Sequence, residues 1–338
     1  VVVTDDTRLC FNKPKGAFRA GFANGDHWDD ANIGGYSTAF GFVTEASGAR
    51  STAMGSGTKA SGFASTAIGN YNKEDVDAYF LVGNGIGDLD RKNALVVKSN
   101  GDFIIGSSQL DDDNTTADDN ARVFFNKAKG AFRAGLVDAA YWDDPQVGSY
   151  SVAMGLNNEA RGQNSVAMGG NANAIGFNSI SLGNQTNALN TSSVALGAGT
   201  TATGAYATSM NLDTNAESLA STAMGRNNVG GGDTNLWIET DPLFEIGNSV
   251  DSNNKTNALT ILKNGTITAP SFEMVEITDP KALITKEYLE ANASGSTGLE
   301  ALEVGNGMGW RLIGGSPSFC GPIGSDAGEL SASDVVYE

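Results

Sequence analysis

Residues 151–169 read SVAMGLNNEARGQNSVAMG, so the pentapeptide SVAMG returns after fourteen positions. An Ala-x-Gly signature stands between the two pentapeptides, at Ala160 and Gly162. The unit continues to residue 228 with variants such as SVALG and STAMG, and a shorter array precedes it; the pentapeptides begin at Ser37, Ser51 and Ser65, then at Ser151, Ser165, Ser179, Ser193, Ala207 and Ser221. A fixed period of this kind indicates a repeat architecture in which each unit stacks on its neighbours.

Each repeat predicts very short strands joined by turns that contain Gly and Asn. Apolar and small residues alternate in the pentapeptide, so Val152 and Met154 point to one face of a strand, and Ala153 points to the other. We therefore expect an all-β fold built from parallel β-roll or β-solenoid modules of 14-residue repeats. The large apolar residues of the second array are the expected core of the repeats: Val152, Met154, Val166, Met168, Ile180, Leu182, Val194, Leu196 and Met224.

One turn of such a coil can bury little apolar surface. Two large apolar side chains, at roughly 1.5–3 kcal/mol each, do not offset about 1.5 kcal/mol of ordering entropy for each of fourteen residues. The second face of the strand, lined by Ala, Ser and Gly, suits the close approach of another backbone. We therefore expect the chain's partner to be itself, in a parallel homotrimer around a common axis.

The SVAMG-x4-Ala-x-Gly period resembles the head repeat of YadA-like trimeric adhesins. The resemblance covers residues 37–72 and 151–228 directly, and it implies a trimeric left-handed parallel β-roll. Modules of phage tail fibres are similar. The repeat departs from the pattern at Asn190 and at 207–211, which concerns single turns of the array.

A larger duplication frames the two arrays. The segment FNKPKGAFRAG at 11–21 recurs at 125–135 with one change, Pro14 to Ala128, and Trp28-Asp29-Asp30 matches Trp142-Asp143-Asp144. An aromatic residue with a polar rim could mark a ligand site, but we interpret Trp28 and Trp142 as cap aromatics because repeat arrays need closed ends. The predicted order of modules is lead-in or cap 1 at 1–36, array 1 at 37–72, neck hairpin 1 at 73–110, an acidic linker at 111–120, lead-in or cap 2 at 121–150, array 2 at 151–228, neck hairpin 2 at 229–278, a short helix at 279–293, and a linker with the start of a further module at 294–338.

The segments after the arrays predict hairpins and one helix. YFLVGN at 79–84 and LFEIGN at 243–248 are followed by alternating strands that end in Asn-Gly turns, which is a hairpin signal. Asp279 and Pro280 are an N-cap and first-turn pair, and the residues after them predict a short helix with the seam of a short coiled coil.

Composition excludes several classes of function. The chain of 338 residues carries a formal net charge of -18, which disfavours a nucleic acid partner. No apolar run approaches about 18 residues, so we expect no membrane insertion by this segment. His27 is the one histidine, and no catalytic triad or metal motif can be assembled around it. We therefore expect no enzyme activity, no catalytic residues and no cofactor.

The best metal candidates lie in one acidic stretch. It contains Asp111, Asp112, Asp113, Asp118 and Asp119, and calcium favours such oxygen-rich loops. The stretch lacks the Gly and the distal Glu of an EF-hand, and a run of charge is usually a solvated linker. We therefore expect no metal.

These observations favour a structural and adhesive homotrimeric fibre, located outside the cell or on its surface. It would bind a surface or host ligand multivalently, and the polar outer turns suit a glycan or a protein equally well. The alternative is a bacteriophage or phage-like tail fibre, on a virion, that recognises a receptor. A fibre-borne glycan hydrolase would need two carboxylates about 5–9.5 Å apart in a groove, and no acidic residue recurs at an apolar-flanked position of the repeat.

Overall fold

The computed structural model describes residues 5–108, 121–273, 298–304 and 307–313, in two units, Val1–Ser271 and Phe272–Glu338. In the first unit each fourteen-residue repeat forms one turn of a coil, and equivalent strands pair in parallel one turn apart, with Val152 opposite Val166. The predicted all-β parallel β-solenoid is confirmed. The long strands of the arrays are β3 (Thr38–Phe42), β4 (Thr52–Ser56), β5 (Thr66–Asn70), β11 (Val152–Leu156), β13 (Val166–Gly170), β15 (Ile180–Asn184), β17 (Val194–Ala198), β19 (Thr208–Leu212) and β21 (Thr222–Arg226).

A second, shorter strand closes each of the first five turns of the second array. These strands form their own parallel sheet, with Glu159 opposite Asn173 and Ala160 opposite Ala174. They are β12 (Glu159–Ala160), β14 (Asn173–Ala174), β16 (Asn187–Ala188), β18 (Thr201–Ala202) and β20 (Asn215–Ala216). We number the positions of a turn from 1 to 14, starting at the first residue of the pentapeptide, so that Ser151 is position 1 and Asn164 is position 14.

The interior of the coil contains small side chains. Positions 1, 3, 8 and 10 are buried, and in the turn that begins at Ser151 they are Ser151, Ala153, Asn158 and Ala160. In several turns the serine at position 1 donates its hydroxyl to the carbonyl of a glycine three residues earlier, as Ser165 does to Gly162 at 2.6 Å. The inner faces of the two walls of the coil therefore pack against each other, with only Ala, Ser, Thr and Asn side chains between them.

The large apolar residues of the pentapeptide lie on the outer face of the long strands. The expectation that they fill the coil is wrong, because both walls approach too closely to admit a Val or Met side chain. In the single chain Met154 is 39% exposed, and the others are partly exposed: Val152, Val166, Met168, Ile180, Leu182, Val194, Leu196 and Met224. The alternation predicted from the sequence is present, but the small face points inward. It packs on the opposite wall of the same coil, so the expectation that this face meets another subunit is wrong.

Two columns of glycine set the close spacing of successive turns. At position 5, Gly169 has a φ of +126°, and a Cβ there would lie 2.0 Å from the carbonyl oxygen of Gly183. At position 12, a Cβ on Gly162 would lie 2.0 Å from the carbonyl oxygen of Gly176. A Cβ at either glycine would force the next turn to move, which explains why glycine predominates at positions 5 and 12. Asn211 is the exception at position 5, and Asn190 and Ser218 are the exceptions at position 12 of the second array.

A hairpin leads into each array. Strands β1 (Asp5–Asn12) and β2 (Ala17–Asn24) are antiparallel, as are β9 (Ala121–Asn126) and β10 (Ala131–Leu136). The second strand of each pair then runs parallel to the first strand of the array. Short 3-10 helices follow the hairpins, at Asp30–Asn32, Ala140–Trp142 and Asp144–Gln146.

A buried arginine occupies position 3 in each lead-in strand, opposite the first alanine of the array. Arg133 donates to the carbonyl oxygens of Phe132, Ser151 and Ala160 and to the Ser151 hydroxyl, at 2.8–3.1 Å. Arg19 makes the equivalent bonds in the first module. Burial lowers the pKa of Arg133 to about 10, so the guanidinium is still charged at neutral pH and is stabilised by these oxygens.

Antiparallel strands follow each array and join the modules. They are β6 (Ala78–Asn84), β7 (Asn93–Lys98) and β8 (Phe103–Ile105) after the first array, and β22 (Pro242–Asn248), β23 (Asn257–Leu262) and β24 (Ile267–Thr268) after the second. Strand β8 pairs with β9 of the next lead-in, so the long strands of both modules belong to one 19-stranded sheet.

The second unit contributes one antiparallel pair to the described residues, β25 (Gly298–Val304) and β26 (Gly307–Ile313). The helix predicted at 279–293 lies outside the described residues. The acidic linker at 111–120, with Asp111, Asp112, Asp113, Asp118 and Asp119, also lies outside them, so its interpretation stays a prediction.

Candidate interaction surfaces

The outer face of the 19-stranded sheet is a long apolar surface, which we call the apolar face. It consists of the side chains at positions 2 and 4 and of the residues that pair with them in the hairpin strands. In the second array, position 4 holds Met154, Met168, Leu182, Leu196, Met210 and Met224, one above the other in register. Contiguous apolar surface of this extent is typical of an interaction site.

The apolar face continues without a break between the two arrays. The register places Phe80 opposite Val97, Val97 opposite Phe103, and Phe103 opposite Phe125, whose ring centroid lies 6.3 Å from that of Phe103. Phe125 then pairs with Phe132, which stands opposite Val152 of the second array. The hairpins therefore carry the same surface from one module to the next.

The two cap aromatics lie at the start of their arrays. The indole N–H of Trp142 donates to the carbonyl of Asn158 in the first turn at 2.8 Å, and that of Trp28 donates to Thr44 at 2.8 Å. Both side chains are buried. Phe124 packs edge-to-face on Trp142, with 6.2 Å between ring centroids, whereas its counterpart Cys10 is a free, half-buried thiol. The capping role stays a proposal, and these contacts support it.

Replacing Trp142 with Phe tests that role. The variant loses the bond to Asn158 and leaves a buried carbonyl without this donor, so we expect about 1–3 kcal/mol of destabilisation. Because a cap acts on its own end of the array, hydrogen exchange should accelerate in the turn at 151–164 more than in the turn at 193–206.

The neighbouring residue provides the control for this experiment. Tyr141 lies at the surface, so Tyr141→Phe should leave exchange unchanged in both turns. Equal acceleration in the two turns of the Trp142→Phe variant would contradict a local capping role.

A buried carboxylate closes the far end of the second array. Glu245 stands opposite Ala223 and accepts hydrogen bonds from the amides of Asn228 and Asn257, at 2.6 Å each, and from the backbone N–H of Gly230 at 3.2 Å. The equivalent residue after the first array is Leu81, opposite Ala67. The first array therefore ends at an apolar side chain, Leu81, whereas the second array ends at a hydrogen-bonded carboxylate, Glu245. The sequence analysis missed both Glu245 and the buried arginines.

His27 lies at the entrance of the first array in a small charged cluster. Its Nδ1 is 3.0 Å from an oxygen of Glu45, and Lys59 lies 3.3 Å from the same oxygen. Burial raises the pKa of Glu45, but the hydrogen bond from His27 and the charge of Lys59 outweigh it and hold that pKa below its usual range. The cluster therefore places one carboxylate between an imidazole and an ammonium group.

Within residues 5–108, 121–273 and the two strands of the second unit, no group of three or more His, Cys, Asp or Glu side chains is arranged to hold a metal ion. In the same part of the chain, no helix has the length and apolar character needed to span a bilayer.

Fold and surfaces define a β-solenoid of fourteen-residue turns with small residues inside and an apolar face outside. The YadA head domain repeat matches this chain at residues 33–58, 46–72, 147–172, 174–200 and 188–210. The chain therefore contains YadA-like head repeats in both arrays, as the SVAMG period predicts. No curated protein matches the chain.

Proposed function

We propose that the chain forms a homotrimeric adhesive fibre whose subunits associate through the apolar face. The observation that carries this proposal is the row of partly exposed Phe, Met, Ile and Leu side chains at position 4 of every turn, along the outer face of the 19-stranded sheet. The coil buries mainly Ala and Ser, so much of its available apolar area is still outside. Burial contributes about 25 cal/mol per Å², which makes association through this face the largest remaining source of stability.

The fibre acts by binding and performs no catalysis. Identical subunits and two arrays would present the same outer side chains many times, so weak contacts with a host or surface ligand would gain avidity from a high effective concentration. The YadA-like head repeats support an extracellular or cell-surface location and an adhesin-like role. The net charge of -18 favours a well-solvated surface that does not attract nucleic acid.

A tail fibre of a bacteriophage or phage-like particle is the alternative, with the same trimeric architecture serving receptor recognition. Immunogold electron microscopy of the producing culture, with an antibody against residues 151–225, separates the two. Label on fibres that project from cells supports the adhesin, and label on free tailed particles supports the tail fibre. Label confined to the cell interior would contradict both.

A further inference from the structure

The turn edge of the second array is an uncharged strip on a strongly acidic protein. We define the turn edge as positions 13 and 14, the last two residues before each pentapeptide. None of them is charged from one end of the array to the other: Ser149, Tyr150, Gln163, Asn164, Phe177, Asn178, Thr191, Ser192, Ala205, Tyr206, Leu219 and Ala220. It is a separate surface from the apolar face, which is formed by positions 2 and 4.

Aromatic rings recur along this edge at regular intervals. Tyr150, Phe177 and Tyr206 are all exposed, the last by 61%, and each lies two turns from the next. With strands about 4.8 Å apart, two turns correspond to about 10 Å. Asn164 lies in the turn between Tyr150 and Phe177, Asn178 lies next to Phe177, and a hydrogen bond of 2.9 Å joins the two amides. The strip therefore combines flat apolar surfaces with hydrogen-bonding groups.

An insert at the end of the array covers part of the turn edge and adds one more aromatic ring, together with the carboxylates of Asp233, Glu239 and Asp241. The segment 229–241 packs along the turn edge, where Ala205 N–H donates to Thr234 at 2.9 Å and Leu219 N–H donates to Asp233 at 2.8 Å. It carries Trp237, which is 54% exposed and packs over the buried ammonium of Lys263, 5.0 Å from the ring centroid. The first array is followed by the shorter segment 73–77, so the coil can end without such an insert.

We propose that the turn edge and Trp237 bind a neutral polysaccharide chain. This inference rests on the proposed function, because it assigns a ligand class to the adhesive surface of the same fibre. The apolar faces of sugar rings stack on aromatic side chains, and their hydroxyls bond to amides such as those of Asn164 and Asn178. Rings spaced at regular intervals along the fibre suit a polymer with a regular repeat.

The backbone of the edge argues against a peptide ligand. An added peptide strand needs a row of free N–H and C=O groups, but the N–H groups at position 14 are already paired between turns, and the segment 229–241 accepts those of Ala205 and Leu219. Asn164 donates to Ser149, Asn178 to Gln163, and Tyr206 to Thr191, at 2.8–2.9 Å. The absence of cationic residues from the edge, together with the net charge, disfavours anionic polymers.

The chain itself supplies substitutions that should leave the coil intact. Asn occupies position 14 at Asn164 and Asn178 with a φ of 58° and 56°, close to the 60° of Tyr206, and Gln163 occupies position 13 one turn before Phe177. The double variant Phe177→Gln and Tyr206→Asn therefore removes two rings with residues that the same edge already accepts. Asn187→Thr is the control on the short sheet, where Thr201 occupies the same position one turn later.

The full chain is titrated against immobilised neutral polymers, namely a β-glucan, an amylose, a mannan, a galactan and a chitin-type polymer, with a sulfated glycan and an unstructured polypeptide for comparison. We expect at least one neutral polymer to bind, and the double variant and Trp237→Ala to weaken that binding by about tenfold or more. Asn187→Thr should bind normally.

Three results would overturn the proposal. They are the absence of binding to every neutral polymer, binding that the ring substitutions leave unchanged, and a double variant that loses its oligomeric state, which would assign the edge to a subunit contact. If the variants stay oligomeric while no sugar binds, only the ligand assignment fails, and the proposed fibre stands.

Discussion

Replacing Gly169 with Ala is expected to lower the free energy of unfolding by about 4 kcal/mol or more, although it adds a single methyl group. The φ of +126° at Gly169 is one that residues with a Cβ rarely adopt, and the new Cβ would lie 2.0 Å from the Gly183 carbonyl oxygen. Strands β13 and β15 would have to separate at this point, which disrupts the parallel ladder of both turns. Denaturant unfolding followed by circular dichroism measures the effect.

The next residue provides a matched control in the same strand. Gly170 has no left-handed φ, and a Cβ there would meet only the Asn184 amide oxygen, at 3.4 Å. Gly170→Ala should therefore change stability by less than about 0.5 kcal/mol. If the two variants unfold at the same denaturant concentration, the glycine columns do not determine the spacing of the turns.

The second prediction concerns the apolar face. Replacing both Leu182 and Leu196 with Asp should convert the proposed trimer to monomers or prevent its folding. Each subunit would bring two carboxylates to the association surface, and each unpaired charge buried there costs several kcal/mol. Analytical ultracentrifugation gives the mass of the species, and circular dichroism shows whether the chain is folded.

Leu189→Asp is the control for surface charge. Leu189 is 41% exposed, so it is no more buried than the apolar-face residues, but it follows β16 on the other side of the coil. The Leu189→Asp variant should retain the mass and the secondary structure of the unchanged protein. A trimer that survives with Asp at both 182 and 196 would show that association uses another surface.

The period of the sequence predicts most of the fold. Fourteen-residue spacing leads directly to the parallel register of Val152 with Val166, and the duplicated segments lead to a similar entrance and exit for each array. Local rules suffice here because each turn contacts mainly its neighbours.

The direction of the two strand faces was harder to predict. Alternation in SVAMG defines two faces but does not say which one is inside, and burial of Val and Met inside the coil was the simpler expectation. The informative signal lay in the rest of the turn, where positions 8 and 10, such as Thr186 and Ala188, are also small. Two walls that are both lined by small side chains pack closely and leave no space for Val or Met between them.

Other features could be found only by comparing the two modules closely. Arg19 and Arg133 stand out because each is a large polar residue in a row of Ala and Ser, present in both copies of the lead-in. The counterpart of Glu245 is Leu81, so a comparison of the two modules does not predict a buried carboxylate at this position. The insert at 229–241 is visible in the sequence as a difference in length, because the corresponding segment after the first array is only 73–77.

The mass of the full chain in solution tests the account most directly. Sedimentation equilibrium over a range of concentrations should give three times the chain mass of 34.8 kDa, with no dissociation at micromolar concentration. That result is expected because the apolar face places partly exposed apolar side chains in register from one array to the next. A folded species with the mass of a single chain would contradict the proposed association and, with it, the adhesive fibre.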